Sequence, residues 1–185
     1  MSQGSPTIPF MPSESEEDTV RRKAIEAELL RLEESAMYSS QAQFEETKHW
    51  RGVNLSLGLP ASLLAAAAGA TALAATAGRV TAGILAIAAA GFGAVLTTVN
   101  ASHHMNQASS AANAYLEIQT AARQARGIDL PYMSIDDARQ ILAEITARRD
   151  EQNKTADPPS KRSHRKAQAN IKGGGQTYHV DKAKE

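Results

Sequence analysis

The sequence predicts an all-α protein built around a membrane helical hairpin of two spans, flanked by amphipathic cytoplasmic helices. Three observations carry that class. Val53 to Ala101 holds a single charged residue, Arg79, in a chain that is 22% charged overall. On either side of Gly78 and Arg79 lies an apolar run, Leu55 to Ala77 and Val80 to Val99. A bilayer's hydrocarbon core needs about 20 mainly apolar residues as helix, and each run supplies that length. Outside the runs, apolar residues recur at helical spacing among many charges. The formal net charge of zero and the mean hydropathy of −0.35 hide this segregation.

Residues 1–12 are punctuated by Gly4, Pro6, Pro9 and Pro12 and are expected to be disordered. They lack the basic start and early apolar run of a cleaved signal peptide, so the first apolar run is expected to serve as an uncleaved insertion signal. Residues 13–52 read as an amphipathic helix ending in an interfacial anchor. Ser13 or Ser15 caps it, and Glu16, Glu17 and Asp18 complement the dipole of its first turn. Its apolar stripe, Ile25, Leu29, Leu32 and Ala36, is spaced four, three and four, which is heptad spacing and calls for a partner helix. The helix is expected to run to about His49. Trp50 and Arg51 then place aromatic and basic groups just before an apolar run, as an anchor at the headgroup level would.

Residues 53–100 form the hairpin. Pro60 removes a helical hydrogen bond. A helix starting there and reaching Ala77 is roughly 27 Å long and barely spans. A longer helix kinked at Pro60 spans comfortably and is preferred. Gly78 closes the first helix, and Arg79 reaches water or headgroups from the turn. Leu55, Leu57, Leu59, Leu63, Leu64 and Leu73 supply roughly 2–4 kcal/mol towards insertion, and the bulky residues of the second run supply about the same. Neither run has the polar face that a soluble helix needs, and the flanking helices carry stripes too narrow to cover both.

Small residues add a packing signal. Ala66, Ala70, Ala74 and Gly78 form one ladder at every fourth position, and Ala82, Ala86, Ala90 and Ala94 form another. In lipid, helices associate where small residues let backbones approach, so these ladders predict contacts within the hairpin or between copies, and a homo-oligomer. Ser62, Gly69 and Thr76 share one face of the first span and can line a narrow path. Long charged arms translocate poorly, which puts both termini in the cytoplasm of a multi-pass protein of the inner membrane.

Residues 101–153 are expected to be cytoplasmic helices. The first continues directly from the second span to Arg126, presents Ala108, Ala112, Tyr115, Ile118 and Ala122 on one face, and ends at Gly127. Ser134 caps the next, with Asp137 at the capping-box position. Residues 154–185, with Pro158, Pro159, scattered Lys and Arg and three consecutive glycines, read as a flexible tail. No catalytic constellation is legible and no cofactor is implied. Adjacent His103 and His104 point about 100° apart on a helix and read as solvated surface rather than as a metal pair. The chain has no cysteine, which excludes disulfides and thiolate chemistry. Neutral net charge argues against a nucleic-acid partner for the whole chain. The lipid bilayer is the expected partner.

The order of features resembles the SLATT family of bacterial two-span membrane proteins. It runs from Phe44 and Trp50 through Asn54 to Pro60 (NLSLGLP) and the apolar hairpin to Tyr115, and closes on Asn170, Ile171, a Gly-rich turn, Tyr178 and Asp181. The resemblance covers Tyr38 to Asp181. It implies an oligomeric, pore-forming or membrane-perturbing effector of a bacterial conflict system such as antiviral defence, working with a nucleotide-signalling partner protein. It does not imply an enzyme. A membrane anchor or scaffold without a pore is the competing expectation.

Overall fold

A computed structural model of the protein describes residues 15–74 and 79–177. These residues are helical throughout, joined by short turns, with no strand among them. Helix α1 runs from Glu16 to Ala74 without interruption, 59 residues and about 88 Å. Ser15 begins it as expected, its Oγ accepting from the Asp18 backbone N–H at 3.1 Å. The expected stop near His49 does not occur, and Pro60 lies inside the helix.

Helix α2 spans Arg79–Val99 and returns along the C-terminal part of α1. The expected direct passage into the next helix is broken at one residue. Asn100 takes a left-handed conformation (φ 50°), and α3 starts afresh over Ala101–Gln124. After glycine, asparagine is among the residues that tolerate this region best, and one such residue ends a helix. Gly127 does not end α3 by itself. The chain leaves through a wider π-helical turn at Ala125–Asp129, where the Leu130 N–H reaches back to the Ala125 carbonyl at 2.8 Å.

Helix α4, Ile135–Thr155, is capped by Ser134, whose Oγ accepts from the Asp137 N–H. Together α1, α3 and α4 enclose a core in which the Ile25, Leu29, Leu32 and Ala36 stripe meets Tyr115, Ile118, Ala122 and Ile145. The partner helix demanded by the heptad spacing is α3. Polar ties hold the rim. Arg22 donates to the carbonyls of Leu130, at the end of the π turn, and of Met133, in the turn that precedes α4. Arg126 pairs with Glu33 at 3.0 Å.

The expected flexible tail needs correction. Lys161–Lys172 forms α5, and it packs on α1. Ser160 caps it, accepting from the Ser163 N–H, and the small side chains of Ser163 and Ala167 bury one turn apart. Pro158 and Pro159 separate this helix from α4 rather than opening a disordered segment. The turn after it needs Gly174, at φ 81°. Residues 1–12, Tyr178 and Asp181 lie outside the described residues.

Candidate functional site

The two helices of the hairpin meet along a narrow seam. Ala68 and Ala82 are buried there, flanked by half-buried Leu64 and Thr71 on α1 and Leu85 and Leu96 on α2. Gly58 belongs to the same seam: a Cβ at that position would stand 3.7 Å from Leu96 Cδ2. The spacing along the seam alternates three and four, which keeps it on one side of each helix.

The small-residue ladders do not form that seam. Ala66, Ala70, Ala86, Ala90 and Ala94 are exposed, and Ala82 is the one rung buried among the described rungs. A strict four-residue row winds around its helix, so four rungs cannot all stay on one contact line. Packing within the hairpin is thus not the role of those five exposed rungs. The side chains of Ala74 and Thr76, and Gly78, lie outside the described residues.

What the hairpin leaves open is apolar. Leu63 is 70% exposed, Leu73 91%, Val80 75% and Ile87 75%. In the most apolar 18-residue stretch of α1 only 6% of residues are buried, and in that of the helical run Arg79–Asp129, which begins with α2, 0%. Both helices are long and apolar enough to cross a membrane. The core helix of a soluble protein would instead be mostly buried. Most of the described hydroxyls in this region donate within their own helix. Ser62 donates to the Gly58 carbonyl at 2.9 Å, Thr71 to Ala67 at 3.0 Å and Thr98 to Ala94 at 2.8 Å. Ser62 and Gly69 are exposed on one face of α1, as expected from their spacing. Arg79 is exposed at the start of α2.

Where the hairpin joins the bundle, polar and aromatic groups gather. Trp50 is half-buried, and its ring stacks on His104 of α3 at 4.6 Å with planes 21° apart. His49 packs edge-on against Trp50 at 5.6 Å. His104 is therefore not simply solvated surface. Its Nδ1 lies 3.9 Å from a carboxylate oxygen of Asp157. Asn54 accepts from the Ser102 hydroxyl at 3.2 Å, one turn further towards the hairpin. Arg51, expected in the anchor, is exposed.

Gln43 and Glu46 complete this junction. Gln43 is buried, and its side-chain amide donates to the Asp157 carbonyl at 2.7 Å. Glu46, also buried, accepts from the Ser160 backbone N–H at 2.9 Å, so one carboxylate of α1 caps the start of α5. Burial acts to raise the Glu46 pKa. Hydrogen bonds from Ser160 and Ser163 and the charge of His49 outweigh it, and they hold the carboxyl below its ordinary value of 4.5. In the bundle, burial pushes the Tyr115 hydroxyl up, with Arg149 acting against it. That hydroxyl donates to Asn153 at 2.8 Å.

Sequence reasoning reached Trp50 but not His104, Gln43 or Glu46. The partners of Gln43 and Glu46 lie 114 residues away along the chain, and no local spacing announces them. Among the described residues no group of three His, Asp or Glu is placed to hold a metal ion. No family model matches the chain, and no curated protein or solved structure matches it.

Proposed function

We propose that the chain is a membrane effector that inserts its α1–α2 hairpin into the inner membrane, assembles there as a homo-oligomer, and breaches or perturbs the bilayer. The observation that carries this reading is the outward apolar surface of the hairpin, with Ala66, Ala70, Ala86, Ala90 and Ala94 on it. Those faces are spare once the hairpin has closed, so a second copy is the natural surface for them. The bundle of α1, α3, α4 and α5 then stands in the cytoplasm and controls assembly. The bacterial-conflict setting and a nucleotide-signalling partner rest on the resemblance to SLATT proteins alone.

A second reading has its own support. The hydroxyls of Ser62, Thr71 and Thr98 are turned into their own helix, which leaves less polar surface to line a path. That favours an anchor or scaffold that oligomerises without a pore.

Dye release from liposomes holding the purified full chain separates the two. The effector reading expects release. Gly69→Leu sharpens the test, because nothing lies within 4 Å of a Cβ at that position and the subunit accommodates the change. It should insert normally, oligomerise less and release less dye. Sealed liposomes with wild-type protein inserted would establish the scaffold reading. Full oligomerisation and release by Gly69→Leu would remove this face from assembly.

A further inference from the structure

We propose that the cleft between α1 and the start of α5, at the base of the hairpin, binds the phosphate of an anionic lipid headgroup. The proposal depends on membrane insertion, as read above, and not on pore formation. The cleft has a volume of about 330 Å³ and is lined by Lys48, His49, Gly52 and Val53 of α1 and by Arg162 and Lys166 of α5.

Three independent features converge on it. The first is charge. A chain of zero net charge concentrates Lys161, Arg162, Arg165, Lys166 and Lys172 in the 12 residues of α5, which contain no Asp or Glu. The nearest anions are already engaged. Glu46 is taken by Ser160, and Glu45 sits 2.5 Å from Lys48 and 3.9 Å from Lys166. Each ammonium has three donors, so Glu45 draws both lysines to one place and leaves donors over for a further oxygen. Arg162 adds a planar fork suited to phosphate.

The second feature is height. Helix α5 runs antiparallel to α1: Ser160 meets Glu46, whereas Asn170 meets Gln41 at 3.1 Å. Its basic first turns are therefore directed to the hairpin. Lys48 lies five residues before Val53, about 7.5 Å along the axis. That distance matches one headgroup layer, roughly 5–7 Å on each side of the hydrocarbon core.

The third feature selects lipid over a free phosphate. The cleft face of α1 continues through Ser56 onto Leu59 and Leu63, which are 58% and 70% exposed. A phosphate held by Arg162 and Lys166 is thus placed with its acyl chains along an open apolar helix surface. A soluble anion gains nothing from that surface.

Trp50 is the single tryptophan of the chain, and its ring packs edge-on against His49 of the cleft lining, so its emission serves as the reporter. Full-length protein in neutral detergent is titrated with phosphatidylglycerol, phosphatidylcholine or inorganic phosphate, following Trp50 emission. The expected result is saturable binding of phosphatidylglycerol at least about tenfold tighter than either of the others. The double variant Arg162→Gln, Lys166→Gln should weaken it by about tenfold or more. A variant with the same charge loss at the far end of the bundle, Lys23→Gln with Arg139→Gln, should bind as the wild type does. Equal binding of the two lipids, or unchanged binding by the cleft variant, overturns the site. Inorganic phosphate binding as tightly as phosphatidylglycerol overturns the lipid assignment. Co-flotation with phosphatidylcholine vesicles and with phosphatidylglycerol vesicles is measured in parallel. Protein that floats but shows no lipid preference loses only this site, whereas protein that floats with neither vesicle loses the membrane reading and the site with it.

Discussion

Glu46 joins two parts of the chain that nothing local connects. Its carboxylate is buried, yet it stays ionised because it accepts from Ser160 at the start of α5. The lowered pKa sets the sign of a pH effect. A carboxylate whose folded-state pKa lies below its unfolded value contributes stability above the unfolded value. That contribution is lost as the pH falls through the folded one. Docking of α5 should therefore hold at neutral pH and weaken only below the ordinary 4.5. Glu46→Gln should loosen it at neutral pH, by about 1.5–3 kcal/mol for a charged hydrogen bond. Amide hydrogen exchange read across α5 checks both. Faster exchange in Glu46→Gln, with a flattened acid response, is expected. Unchanged exchange would mean that the buried Ser163 and Ala167, with the Asn170–Gln41 and Lys166–Glu45 contacts, hold the helix without Glu46.

At the scale of elements, Asn100 separates α2 from α3, and with it the hairpin from the bundle. Holding a side chain with a Cβ in the left-handed region costs roughly 1–2 kcal/mol for ordinary residues. Asn100→Ala should therefore lower the thermal stability of the detergent-solubilised protein, and Asn100→Gly should not. Equal melting of the two variants would show that the break carries no strain. The same break shows what sequence reading can and cannot reach. The Ile25, Leu29, Leu32 and Ala36 stripe was legible because three large apolar side chains and an alanine follow the four–three–four heptad spacing, and all four are buried. The Ser134 cap was legible because the side chain and the N–H it accepts from are three residues apart. Asn100 was not, since polar residues follow any apolar run. Helix α5 was hidden for a related reason. Its buried face is Ser163 and Ala167, too small to mark a hydrophobic period, and its charges imitate a solvated tail. The ladders were visible as a pattern, but their geometry turns five of the described rungs outward from the seam and leaves only Ala82 of those rungs in it.

The whole molecule divides its surface by chemistry. A bundle with a closed apolar core and a charged exterior continues into two helices whose exterior is nearly all apolar. Val53–Ala74 and α2, at 22 and 21 residues, are each about 31–33 Å long, close to the thickness of a bilayer core. Among the described residues no other element covers these faces: α5 lies against the charged half of α1, and α4 packs with α1 and α3 around the bundle core. Lipid covers them in the proposed account. Every further step, from oligomerisation through the small-residue faces to the headgroup cleft, depends on that insertion. The direct measurement is fractionation of cells producing the full chain, with membranes washed in alkaline carbonate and then extracted with detergent. The account predicts that the protein stays in the washed membrane pellet and is released only by detergent. Protein in the high-speed supernatant before any detergent is added would contradict it.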